Sequence, residues 1–217
     1  MRSRAKIESR LALADPALGR LIHAVIARIG PQRIAPSRAA PFEALVRAVV
    51  YQSVSGKAAA SIYARLRETV TAPLTPSKVL ALRPQSLMKA GLSKAKAQAI
   101  RGLAEWFAAN RKQAKALPTL SNAEIVETLT ALPGIGGWTV NVFLIFNLGR
   151  LDVMPAADLG IRRGVQLADG LRAIATAKQV LERSHMWSPY RSIASIYLWQ
   201  ATKLKLRPND LTANLAD

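Results

Sequence analysis

The 217-residue chain contains no cysteine and only two histidines, His23 and His185. The first absence excludes disulfides, thiolate zinc sites, iron–sulfur clusters and cysteine nucleophiles together. The second leaves no multi-histidine metal site, so no metal is expected and any acid–base chemistry falls to carboxylates. Those are scarce as well, with 13 Asp and Glu against 31 Lys and Arg. Long apolar runs are missing too. No stretch reaches the about 18 residues that a membrane-spanning helix needs, and the N-terminal "MRSRAKIESRLALADPALG" has no uninterrupted apolar segment of the kind a secretion signal carries. No membrane partner is expected.

What is present is apolar bulk and positive charge. Half of the residues are hydrophobic, enough for one large core or two small domains sharing an interface. The formal charge of +18 is spread along the whole chain, through Arg47, Lys57, Lys94, Lys96, Arg101, Arg162, Arg163 and Lys203 among others, and is not gathered in one block. It therefore belongs to a folded surface, and a polyanion such as nucleic acid is the partner that best offsets it. A cytoplasmic, nucleoid-associated protein is expected.

Aliphatic residues recur at helical spacing in "PALGRLIHAVIARIG", "PFEALVRAVVYQ", "GKAAASIYARLRETV", "SKAKAQAIRGLAEWFAANRK" and "SNAEIVETLTAL", and no segment reads convincingly as a strand. Ser77, Ser93 and Ser121 stand where helix N-caps are expected, with Glu124 completing a capping box. The fold class is all-α, with roughly ten short helices. "IGPQRIAPSRAAP" and "GRLDVMPAAD" are the plainest breaks. They divide the chain into a central helical domain at 41–150 and a second one made of 1–40 and 151–217, two lobes with a cleft between them.

"LPGIGGWTVNVFLIF" at 132–146 sets Gly134, Gly136 and Gly137 between one helix and the next. Glycine there permits positive φ and uncovers backbone N–H groups. At the start of a helix those donors lack intrahelical partners and face the positive end of the dipole, which suits one phosphate. The same residues would also serve an ordinary turn joining two packed helices.

"LPGIGGWT" is similar to the hairpin of the helix-hairpin-helix (HhH-GPD) DNA glycosylases. Twenty residues after Trp138, Asp158 in "MPAADLGIRRG" resembles the catalytic aspartate of that family. "FEALVRAVVYQSVSGKAAASIYARL" at 42–66 and "WSPYRSIASIYLW" at 187–199 resemble two further family segments. The likeness runs from about residue 40 to 205 and is closest to the 3-methyladenine DNA glycosylase II, or alkylbase, branch.

The resemblance makes Asp158 the catalytic residue, and its place ahead of "LGIRRGVQLA" makes it a helix N-cap as well. A fixed anion stabilises the oxocarbenium-like sugar formed as an N-glycosidic bond breaks, or orients water. Asp152 is the weaker candidate in the same loop. The lysine that forms a Schiff base in bifunctional relatives is replaced by Trp138, so hydrolysis without strand cleavage is implied. Lys57 and Lys203 have no spacing that would let them stand in for it. Trp138 and Trp199 correspond to base-pocket tryptophans, where a cationic alkylated purine gains about 0.5 to 2 kcal/mol from an aromatic face. Tyr190 and Tyr197 are lesser pocket candidates, and a third pocket aromatic of the family is Val142 here. DNA contacts are expected from Gly134, Gly136, Gly137, Thr139, Gln52, Ser53 and Lys57. The family's wedge, which fills the gap left by the flipped base, falls on Ser53; that side chain is small, so Gln52 or Tyr51 is expected to take over its task. Arg191 is read as a structural ion-pair partner, and Arg162, Arg163, Lys94 and Lys96 as phosphate contacts.

The implied function is excision of alkylated bases, 3-methyladenine and with it 7-methylpurines, from double-stranded DNA by a monomer without a cofactor. Na or K at the hairpin carbonyls would be structural. The N-terminal β domain of some relatives is not expected here, for want of room before residue 40. Two other readings stand beside this one: a non-enzymatic helix-hairpin-helix DNA-binding protein, and a glycosylase for another lesion class.

Overall fold

The structure is a computed structural model that describes residues 4–212. Helices account for all its regular secondary structure there, and no strand occurs among the described residues. In chain order they are α1 (Arg4–Ala14), α2 (Pro16–Ile29), α3 (Pro41–Tyr51), α4 (Gly56–Val70), α5 (Pro76–Ala81), α6 (Pro84–Lys89) and α7 (Lys94–Ala109). Then follow α8 (Arg111–Ala116), α9 (Asn122–Thr130), α10 (Gly137–Phe146), α11 (Leu159–Asp169), α12 (Ala177–Ser184) and α13 (Arg191–Lys203). That is more than the ten read from sequence. One reason is α1, whose weak amphipathic pattern hides it; another is Asn110, which splits α8 from α7.

The chain forms two compact units, Pro36–Leu148 and the described parts of 1–35 with 149–217. In the first, α3 packs on α7 and α10, and α9 lies against α10. Phe42, Leu45, Val46 and Val49 of α3, Ile100 and Leu103 of α7, and Val140, Phe143 and Leu144 of α10 are all buried. Each such side chain removed from water is worth about 1.5–3 kcal/mol. Phe42 and Phe107 meet edge to face at 5.4 Å.

In the second unit α2, α11 and α13 surround Leu18, Leu21, Ile22, Val25, Ile161, Val165 and Leu198. Asp15 ties its corner together. It caps α2 by accepting from Leu18 N at 3.0 Å, and also accepts from Arg183 Nε and Nη2 at 3.0 and 2.8 Å and from the Trp187 indole at 2.7 Å. Buried to 3% exposure, that carboxylate has the partners a buried charge requires. Arg183 also pairs with Asp169, whose pKa burial pushes up against the pull of Arg183.

Most caps follow the sequence. Ser93 and Ser121 accept from the helix N–H three residues on, Ser121 with Glu124 forming a full capping box, and Ser55 accepts in the same way at the start of α4. Ser77 does not cap. Pro76 occupies the first helical position, where its missing N–H costs nothing, so the cap falls one residue earlier on Thr75.

Candidate active site

In the Pro36–Leu148 unit the turn between α9 and α10 is the hairpin. Ile135, 2% exposed, anchors it in the core, while Gly134, Gly136 and Gly137 lie on its exposed side. Gly134 has φ +80°, and a Cβ there would lie 2.6 Å from the Ala99 Cβ of α7. The backbone conformation and the close approach of α7 both demand glycine at this position. Gly136 and Gly137 are different: a Cβ at either would meet nothing within 4 Å. Packing does not account for their bareness. Gly136 occupies the N-cap position of α10 without any side-chain cap, so the first donors of that helix are served by no capping side chain.

The loop between α3 and α4 is fastened to this hairpin. Gln52 Nε2 donates to Thr139 Oγ1 at 2.7 Å and to the Gly134 carbonyl at 3.1 Å. Lys96 Nζ, on α7, donates to the carbonyls of Val50 and Gln52 at 2.8 and 2.7 Å, and burial lowers its pKa. Ser53 then turns the chain with φ +52° and stands exposed, beside the exposed Val54.

In the second unit Asp158 caps α11. Its Oδ1 accepts from Ile161 N at 3.0 Å and from the Trp199 indole Nε1 at 2.8 Å. A rigid helix end and an aromatic on α13 thus hold one carboxylate oxygen from two directions. The neighbouring carboxylate is engaged otherwise. Asp152 accepts from Arg191 Nε at 2.6 Å and Nη2 at 2.8 Å, and from Ser188 Oγ at 3.0 Å. The guanidinium hydrogen bonds hold its pKa below the ordinary carboxylate value. No cluster of three or more His, Asp or Glu side chains among the described residues could hold a metal ion.

Residues 46–189 match the HhH-GPD superfamily base excision DNA repair protein family. The chain belongs to the HhH-GPD superfamily. DNA-3-methyladenine glycosylase 1 of Schizosaccharomyces pombe is 37% identical over 167 residues, 76% of this chain and 73% of that protein. A second protein of the same yeast, alkylbase DNA glycosidase-like protein mag2, is 32% identical over 188 residues, 83% of this chain and 87% of its own length. Among solved structures, the S. pombe 3-methyladenine DNA glycosylase in complex with abasic DNA superposes with a TM-score of 0.79 at 33% identity, covering 91% of this chain and 97% of the other.

Within this HhH-GPD protein the remaining sequence candidates fall into distinct places. Trp138 is half-buried at the second position of α10, and Thr139, 1% exposed, is the partner of Gln52. Lys57, Lys94 and Arg163 are exposed, whereas Arg162 spends its Nε on the Ala175 carbonyl at 2.6 Å. Lys96 is likewise spent on loop carbonyls rather than pointing at solvent. Arg191 forms an ion pair, as expected of it, and the partner is Asp152, which the sequence offered only as a weaker catalytic candidate. Tyr197 lies in the core at 0% exposure; its hydroxyl donates to Glu8 and accepts from Gln32 N at 2.9 Å, so it has no open face to offer a base. Tyr190 is also a core residue, 9% exposed, with the Arg10 guanidinium 5.6 Å from its ring centroid. Sequence reading passed over Thr202 and Gly160. Thr202 Oγ1 lies 2.9 Å from the Gly160 carbonyl, and that contact joins residues 42 apart, beyond the reach of any local pattern.

Proposed function

We propose that the chain is a monofunctional DNA glycosylase, a base excision repair enzyme that flips alkylated bases, 3-methyladenine chiefly and 7-methylpurines with it, out of duplex DNA and hydrolyses their N-glycosidic bonds. The observation that carries the proposal is the Asp158 carboxylate, fixed by Ile161 N and the Trp199 indole at the head of α11. As the bond to the base breaks, positive charge builds on the deoxyribose. An anion already in place lowers that barrier without reorganising, the most effective form of electrostatic catalysis. It can also orient the attacking water.

The substrate class follows from the same parsimony. A base alkylated at N3 or N7 is cationic before the reaction starts and leaves without protonation, so no general acid is needed. Asp152 is committed to Arg191. Aromatic faces attract such a base, and Trp199 stands beside the carboxylate that would act on its sugar. Flipping costs a few kcal/mol of unstacking, and the α3–α4 loop, locked to the hairpin through Gln52, is suited to hold the opened duplex. The start of α10, where Gly136 caps without a side chain and neither glycine presents a Cβ, is suited to take one backbone phosphate without reading sequence.

By the resemblance of "LPGIGGWT" to the family hairpin, Trp138 stands in place of the Schiff-base lysine of bifunctional relatives, which supports hydrolysis alone and an intact abasic strand as product. The protein would act as a monomer and without a cofactor. A panel of duplexes, each with one lesion, incubated with the protein and then treated with or without alkali tests this reading. Release of 3-methyladenine, with strand breaks only after alkali, is the expected result; release confined to oxidised or mismatched bases would replace the substrate class.

A further inference from the structure

We infer that Gly160 and Thr202 are positioning residues for the Trp199–Asp158 pair, and that α11 carries glycine at 160 so that the indole can reach the carboxylate. The inference rests on the reading of Asp158 as the carboxylate that acts on the sugar.

Gly160 lies in the first turn of α11, two residues after the cap. Its φ is not among the positive values of the chain, so the backbone does not call for glycine there. Helix propensity argues against it, since glycine weakens a helix relative to alanine. The space around it explains the choice. A Cβ at 160 would lie 2.9 Å from Trp199 Cδ1, 3.0 Å from Asp158 Oδ1 and 3.4 Å from Trp199 Nε1. These are the two side chains of the pair and the very atoms at or beside their hydrogen bond. Gly164, one turn on, contrasts with it: a Cβ there would meet Leu198 Cβ, O and Cα at 2.8, 2.9 and 3.0 Å, which is a matter of how closely α13 packs. Gly164 sets the approach of the helices, and Gly160 leaves room for the indole edge.

Thr202 fixes the same juncture from α13. Its hydroxyl lies 2.9 Å from the Gly160 carbonyl and 3.0 Å from the Leu198 carbonyl, spanning both helices one turn after Trp199. The indole plane is thereby set by its own hydrogen bond and by a hydroxyl that registers the two backbones. Because Ile161 N and Trp199 Nε1 share Oδ1, moving the indole takes a donor away from that oxygen. The ring face presented to a base moves with it.

Single-turnover excision of 3-methyladenine, duplex binding and the indole N–H resonance of Trp199 are to be measured in Gly160→Ala, Trp199→Phe and the double variant. Gly160→Ala is expected to slow excision about tenfold or more while duplex affinity stays within about twofold, and to shift the Trp199 indole proton away from its hydrogen-bonded position. In the Trp199→Phe background the added alanine is expected to change the rate by less than about twofold, because the bond it disturbs is already gone. An unchanged rate in Gly160→Ala, or an equal loss in both backgrounds, overturns the inference. Thr202→Val, which keeps shape and removes the hydroxyl, is put through the same cycle and carries the test if Gly160→Ala does not fold. Absence of excision by the unaltered protein would instead overturn the proposed function, so the two failures are told apart.

Discussion

Arg191 grips Asp152 through two hydrogen bonds of 2.6 and 2.8 Å, and this leaves the two aspartates of the 149–158 segment with different tasks. Asp152 is a structural anion, joined further to Ser188; Asp158 faces a helix N-terminus and an indole. Asp152→Asn should leave the mechanism of excision intact and lower stability by about 1–3 kcal/mol, since it leaves a part-buried guanidinium poorly paired. Its acid dependence should change as well. The Asp152 pKa is held down in the native state, so its stabilisation is present above the unfolded value of about 4 and is lost as pH falls through the lower native one. Denaturant melts from pH 7 down to pH 3 should show a shallower acid decline in Asp152→Asn than in the unaltered chain.

The three hairpin glycines should separate into two classes. Gly134→Ala meets both a positive φ and the Ala99 Cβ, and should cost about 1–3 kcal/mol in thermal or chemical unfolding. Gly136→Ala and Gly137→Ala have open space and should melt near the unaltered protein, yet bind duplex DNA about tenfold more weakly, because a methyl group then stands between the N–H groups and a phosphate. Equal effects of all three on melting would show that the turn is only a turn.

Gln52→Ala should uncouple the α3–α4 loop from the hairpin. It removes donors to Thr139 and Gly134 without touching Asp158, so excision from saturating duplex should be impaired through flipping rather than through chemistry. The measurement is the rate of a fluorescent-base flipping signal, expected to fall several-fold, about 3- to 10-fold, with little change in melting temperature. A larger loss on an already unpaired lesion than on a paired one would contradict this role.

Binding should also report the charge. With +18 formal charges on the chain, the affinity for undamaged duplex should fall steeply with salt, log K against log salt having a slope of about −0.9 for each phosphate neutralised. Lys57→Ala, Lys94→Ala and Arg163→Ala, all at exposed positions, should each reduce that slope by up to about one, whereas Arg162, bonded to Ala175 O, should not.

Much of this was legible in the sequence because it depends on local rules. Helical periodicity and the serine caps at 93 and 121 need only a few neighbouring residues, and the Pro-Gly signature of 132–137 marks its turn. Where a competing local rule intervened, the reading slipped: Pro76 moved a cap from Ser77 to Thr75. What escaped altogether depends on residues far apart in the chain. "YRSIASIYLW" offers Tyr190 and Tyr197 as lesser pocket aromatics beside Trp199, and the packing of α2 and α11 on α13 makes both tyrosines core rings while Trp199 reaches Asp158. Gly160 carried a faint signal, a glycine inside a helix followed by another four residues later, but its meaning is a distance to Trp199.

The most direct test of the account is single-turnover release of 3-methyladenine from methylated duplex by Asp158→Asn. Asparagine caps helices about as well as aspartate, so α11 should keep its start and the duplex should still bind. The account predicts that release falls by about 100-fold or more, the scale on which a preorganised electrostatic group acts. Release at the unaltered rate, with the folded state and DNA binding intact, would contradict it.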